Sequence, residues 1–203
     1  MALFDVIKNQ VKSQLKREAS KAVSNMAQNV SEAIAKGRNH TESFTFTSFP
    51  ASVEELKALP EASLDSAFQT TALCIAVLCN LENDANATWE MLDYLKGPEN
   101  VNEREKAFIK ERLSGKQYKT FSFFKGATPE NDYIPAKPYT ITVSANPYSF
   151  EEENWATLYV TSAGADAPRP IKLRKKPSTN QWFINEIQCL ADIRIPTSQD
   201  EWA

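Results

Sequence analysis

The chain has 203 residues, 42% of them hydrophobic and 24% charged, with a net charge of −3. That length and composition suit one ordinary domain plus an appendage and exclude a chain disordered throughout. Charge is unevenly spread: residues 1–38 hold seven basic and three acidic side chains, leaving 16 basic and 23 acidic in the remainder. A basic arm of residues 1–38 on an acidic body of residues 39–203 is therefore expected.

Residues 3–36 read as one long amphipathic helix. Phe4, Ile7, Val11 and Leu15 open an apolar stripe that continues through Ala19, Val23, Met26, Val30 and Ile34 at close to the helical period. Gly37 stands where such a helix should stop. At ~1.5 Å per residue the rod would be about 50 Å long, longer than a small domain is wide. Lys8, Lys12 and Lys16 repeat beside the stripe. Like charges four apart cost a few tenths of a kcal/mol per pair, which an anionic surface would offset.

In the body, alternating Thr and Phe predict a strand from Phe44 to Phe49. Ser52 and Glu55 form a capping-box pattern for a short helix that Pro60 ends. Leu64 to Leu81 is apolar almost all round and predicts the central buried helix. Asn83 or Asp84 caps a third helix through Lys96, closed by Gly97-Pro98, with Trp89, Leu92 and Leu95 inward. Asn102 and Glu105 cap a fourth, which carries Phe108, Ile109 and Leu113 to Gly115.

Beyond residue 116 the period becomes alternating. Strands are expected at Tyr118–Phe124, Tyr139–Ser144, Trp155–Ser162, Arg169–Lys175 and Gln181–Ile187, with residues 177–180 as a hairpin turn. Lys125–Lys137 reads as a polar, proline-bearing loop. Helices at about 52–115 followed by strands at about 118–187 predict an α+β fold: a helical segment on a mostly antiparallel, curved sheet.

Chemical signatures are sparse. Five glycines all have structural places, so no phosphate-cradling loop or dinucleotide fingerprint is left. The single histidine, His40, falls in the polar link and is expected to be exposed, with no nucleophile motif beside it. Without clustered Cys or a second His, neither a metal nor a cofactor is expected. Cys74, Cys79 and Cys189 lack framework spacing; the first two read as small buried hydrophobes. With no leader pattern and no apolar run long enough to span a bilayer, a cytoplasmic location is expected.

Glu151–Glu153 read as a solvated turn, and Glu99 and Glu103 as carboxylates flanking a helix start. In the strand at 169–176, Ile171 and Leu173 face one way while Lys172, Arg174 and Lys176 face the other. That basic stripe suits an anionic ligand or the Glu151–Glu153 turn of a neighbouring molecule. The body's acidic balance argues against nucleic acid. Tyr133, Tyr148 and Phe150, beside proline-containing loops, belong either to loop anchoring or to the rim of a pocket.

From Leu64 to Ile195 the strings TALCIAVLCNLENDANATWEMLDYLKGPENV, KPYTITVSANPYSF and PRPIKLRKKPSTNQWFINEIQCL resemble a family of uncharacterised bacterial proteins. The resemblance implies a bacterial origin, and it transfers no activity and no site residues. The strands ATLYVTS, RPIKLRKK and STNQWFINEI are also similar to the end of the nuclear-transport-factor-2-like folds, whose curved sheets often enclose a pocket. Three functions follow as expectations. The first is a non-enzymatic interaction or assembly protein that self-associates or binds a protein partner through its N-terminal helix. The others are a peripheral membrane protein using the same helix on an anionic surface, and a small-ligand-binding domain or enzyme with a pocket in the sheet.

Overall fold

The computed structural model describes residues 35–202, and residues 35–203 form a compact unit of their own. The predicted helix over 3–36, with its stripe and lysines, lies outside the described residues save for its last two positions. The body is α+β. Its strands are β1 (His40–Phe46), β2 (Tyr139–Ala145), β3 (Trp155–Val160), β4 (Arg169–Lys176) and β5 (Gln181–Ile187). They form one sheet in the order β1-β2-β3-β4-β5, every neighbouring pair antiparallel. Between β1 and β2 come the helices α1 (Val53–Ala58), α2 (Ala67–Leu78), α3 (Ala85–Lys96), α4 (Glu103–Leu113) and α5 (Tyr118–Phe121).

Strand burial alternates as period two requires. Ile141 and Val143 of β2, Leu158 and Val160 of β3, and Ile171 and Leu173 of β4 are fully buried. Against this inner face lies α2, touching β1, β2, β3 and β5. All its residues but Gln69 are buried, because it has the sheet on one side and α3 on the other. Each fully buried Leu, Ile, Val or Phe there contributes about 1.5–3 kcal/mol of transfer free energy. Its hydroxyl groups are satisfied locally, whereas Gln69 Oε1 is buried without a hydrogen-bond partner. The Ser66 hydroxyl accepts from Phe68 N at 3.2 Å, and the Thr70 and Thr71 hydroxyls donate to the carbonyls of Ser66 and Ala67 at 3.0 and 2.8 Å. The expected central helix is shorter than Leu64–Leu81, because Leu64 takes φ 59° and closes a preceding 3-10 turn.

Two strand expectations are corrected. The first strand starts four residues earlier and stops at Phe46. Its polar half was readable as a link because Thr41, Ser43 and Thr45 face solvent. The Ser43 and Thr45 hydroxyls pair across the strands with Thr142 and Thr140, at 3.1 and 3.2 Å. Phe49 instead leaves the sheet and stacks on Tyr139, ring centroids 4.3 Å apart. Of residues 118–124, Tyr118–Phe121 form the helical turn α5, and only Phe124 bridges to Ile141. Phe121 and Phe123 stand two apart, as alternation requires, but Tyr118, Phe121 and Phe124 stand three apart, the spacing of a helical turn. The Thr120 and Ser122 hydroxyls fix the turn by donating to the carbonyls of Gln117 and Lys119, at 2.8 and 2.6 Å.

β5 is an edge strand, and its open edge is covered by other groups, as edges in native sheets commonly are. Trp182 N donates to the Leu64 carbonyl at 2.7 Å, and Thr70 Oγ1 to the Trp182 carbonyl at 3.2 Å. A register shift between Lys172 and Leu173 leaves Asn185 unmatched in β5. Its carbonyl takes a hydrogen bond from Lys96 Nζ at 3.2 Å.

Candidate functional site

Lys96 ends α3 and is only 7% exposed, an unusual place for a lysine. Its ammonium lies 2.7 Å from Glu105 Oε1. Glu105 in turn completes the α4 capping box: its other oxygen accepts from Asn102 N at 3.0 Å, and Asn102 Oδ1 accepts from Glu105 N at 3.0 Å. Asp93 Oδ1 holds the intervening turn through Val101 N at 2.7 Å. A single lysine thus ties the end of α3, the start of α4 and the bulge of β5 together.

On each side of Lys96 lies an open groove. The first, about 280 Å³, runs between the Gly97–Glu99 turn and the β4–β5 hairpin. Gly97, at φ 68°, rests against the Phe183 ring so closely that a Cβ would overlap it. Pro98, Pro177 and Phe183 make the apolar wall, and Arg174, Lys175 and Lys176 bring charge to it. The second, about 340 Å³, is lined by Val101, Phe108, Ile109 and Ile187, with Glu105 and Glu186 at its margin. Phe108 is 39% exposed there.

Of the sequence-derived residues, Lys172, Arg174 and Lys176 do stand on the side of β4 opposite the buried Ile171 and Leu173. Lys172 pairs with Glu186 at 3.5 Å, and Arg174 with Glu99 at 3.8 Å. The Arg174 guanidinium also sits 5.2 Å from the Trp155 ring centroid. Phe4, Ile7, Val11, Leu15, Lys8, Lys12 and Lys16 lie outside the described residues. The Glu151–Glu153 turn is exposed, as expected, but at the same end of the sheet as the basic stripe. Trp155 pairs with Arg174 across β3 and β4, and Lys175 N donates to the Asn154 carbonyl at 2.8 Å. The acidic turn and the stripe therefore share one end of the sheet within a single chain.

His40 is not an exposed linker residue. It opens β1, where its Nε2 lies 3.1 Å from Glu42 Oε1 and its ring stands edge-on to Phe68 at 5.3 Å. Tyr133 rims nothing: it is fully buried, stacked on Tyr118, and donates to the Arg194 carbonyl at 2.9 Å. Phe150 is buried between Phe68 and Trp182, while Tyr148 is 72% exposed. All three cysteines are buried free thiols. Burial pushes Cys74 and Cys79 up to about 12 and Cys189 well above its ordinary value, so none is a nucleophile at neutral pH. Among the described residues no three His, Cys, Asp or Glu side chains gather as a metal site, and no helix is long and apolar enough to cross a membrane.

The sequence reading missed Lys96 as a junction and Phe183 as a groove wall. Lys96 carried only the weak signal of a lysine in a last helical turn before Gly-Pro. Its role depends on Asn185, 89 residues away.

A family described as a domain of unknown function, DUF6935, matches residues 48–197. The chain belongs to that family. The matched span takes in the end of the first connecting loop, α1 to α5, β2 to β5 and both grooves. No curated protein and no solved structure matches the chain. The likeness of the last strands to the nuclear-transport-factor-2-like class thus rests on their sequence pattern alone.

Proposed function

We propose that this DUF6935 member is a non-enzymatic interaction or assembly protein, working in the cytoplasm, that self-associates through its N-terminal segment. The observation that carries this reading is the apolar stripe of Phe4, Ile7, Val11 and Leu15, a pattern suited to helix-on-helix packing. The compact unit formed by residues 35–203 supports it by supplying a folded body for such an arm to join. Further support comes from the body's chemistry. Its thiols are buried, its histidine is engaged by Glu42 and Phe68, and the cavities on either side of Lys96 are open grooves rather than enclosed chambers.

Light scattering on the full chain across a concentration series tests the reading. The native chain is expected to show a mass above one copy that Ile7→Asp with Val11→Asp reduces to a single chain. A native chain that keeps the mass of one copy at every concentration sinks it. A second reading, attachment to an anionic membrane surface, draws on Lys8, Lys12 and Lys16 beside the stripe. Co-sedimentation with vesicles containing anionic lipid, and its loss when that lipid is omitted, separates the two.

A further inference from the structure

We propose that the groove between the Gly97–Glu99 turn and the β4–β5 hairpin binds a small organic anion carried on an apolar body. The two grooves that flank Lys96 differ in charge. The first is lined by Arg174, Lys175 and Lys176 beside Lys96, with Glu99 the one carboxylate of its lining; Lys96 and Lys175 are engaged elsewhere, so Arg174 and Lys176 carry the contrast. The second has Lys96 alone against the carboxylates of Glu105 and Glu186. Both have apolar walls, so charge is what separates them, and it favours an anion only in the first. The whole body is acidic and the Glu151–Glu153 turn shares this sheet end, so the cations are a feature of the groove's own lining rather than a reflection of overall charge.

The cations are held in place. The Trp155 ring lies under the Arg174 guanidinium at 5.2 Å, and the Trp182 ring under the Lys175 ammonium at 5.4 Å. Aromatic seating of this kind fixes the direction of the Arg174 guanidinium without using its outward N–H donors. Lys96 is committed to Glu105 and the Asn185 carbonyl, so Arg174 and Lys176 are the groups assigned to the ligand's charge. Glu99 now stands 3.8 Å from Arg174 in a pair whose side chains are 58% and 70% exposed. Exposed pairs of that kind are weak, so an incoming anion displaces the carboxylate at little cost. The apolar part of the ligand lies against Phe183, Pro98 and Pro177. A volume of about 280 Å³ is at the small end of ligand cavities, which commonly run to about 300–1,000 Å³. It therefore sets a ligand of short-chain or single-ring size.

Octanoate is the probe, with octanol of equal chain length as the neutral control. The 15N-labelled full chain is titrated, and the indole N–H resonances of Trp155 and Trp182 are followed after assignment with Trp155→Phe and Trp182→Phe. Octanoate is expected to shift the Trp155 resonance saturably, more weakly at high salt, with octanol about tenfold weaker or absent. Arg174→Gln with Lys176→Gln, both surface changes that leave the far-UV spectrum intact, is expected to weaken octanoate about tenfold or more. Phe108→Ser, in the second groove, is expected to leave binding unchanged. Equal binding of octanol, unchanged affinity in the Arg174/Lys176 variant, sensitivity to Phe108→Ser, or no saturable shift at all would each overturn the assignment.

Discussion

The central helix α2, of 12 residues, and the strand β4, of 8, carry opposite designs. In α2 almost every side chain is buried, and its threonine hydroxyls reach carbonyls one turn back, Thr70 also that of Trp182 in β5. In β4 burial alternates. Ile171 and Leu173 join the core, while Lys172 and Arg174 meet carboxylates in pairs exposed to water. The difference teaches where this body keeps its stability and where it keeps its chemistry. Burial on all sides leaves nothing on α2 to meet a ligand, whereas the outer side of β4 is held by pairs weak enough to exchange partners.

Substituting Leu73, fully buried in α2, by Ala gives the largest expected effect. It should cost about 2–5 kcal/mol by lost transfer energy and a residual cavity, read from urea unfolding. A cost near zero would show that α2 is no keystone of the body. Alkaline titration comes next. The three thiols have folded pKa values raised by burial, so their contribution is fully present below the unfolded value near 9. It is lost as pH rises and the unfolded chain releases protons that the folded chain keeps. Unfolding free energy should fall by about 1 kcal/mol per pH unit for each thiol above pH 9. Cys74→Ala should flatten that slope, and an unchanged slope would place the loss elsewhere. Lys119 opposes the trend: its folded pKa is lowered, by burial first and then by Lys116 and Arg112, so it adds stability as pH approaches its unfolded value.

Lys96→Met sharpens the boundary between the two regions. It strands the Asn185 carbonyl and leaves the one-third-exposed Glu105 unpaired, at an expected cost of about 1–3 kcal/mol. Thermal unfolding would show it, and no measurable shift would mean that water replaces the ammonium freely. Lys172→Ala gives the smallest effect. Its pair with Glu186, at 3.5 Å, joins side chains 42% and 48% exposed, so the change in chemical-denaturation midpoint should correspond to under about 0.5 kcal/mol. A larger loss would show that the outer side of β4 is structural after all.

Most elements were legible in the sequence because local chemistry fixes them. Asp84 caps α3, Asn102 and Glu105 box the start of α4, and the alternation in β2 to β5 survives into the sheet. The misreadings share a cause. At Tyr118–Phe124 the aromatic spacing fits two periods, and the helical turn wins because Thr120 and Ser122 hydroxyls secure it. At His40–Ser43 an edge strand with a hydroxyl-lined outer side has the composition of a linker. The candidate site was half legible. The stripe of Lys172, Arg174 and Lys176 follows from period two, but nothing local announces that Trp155 will underlie Arg174 or that Glu99 will face it.

By itself, then, the order of residues determined the four longer helices, β2 to β5 and which side of each faces inward, since caps, turns and periodicity act over a few neighbouring positions. Tertiary structure alone decided that strands β1 and β2, separated by the whole helical segment, lie side by side, and that Lys96 meets the carbonyl of Asn185. It also brought four cations around one groove. Those meetings join residues far apart along the chain, and only the packing of α2 and α3 against the sheet brings them within reach.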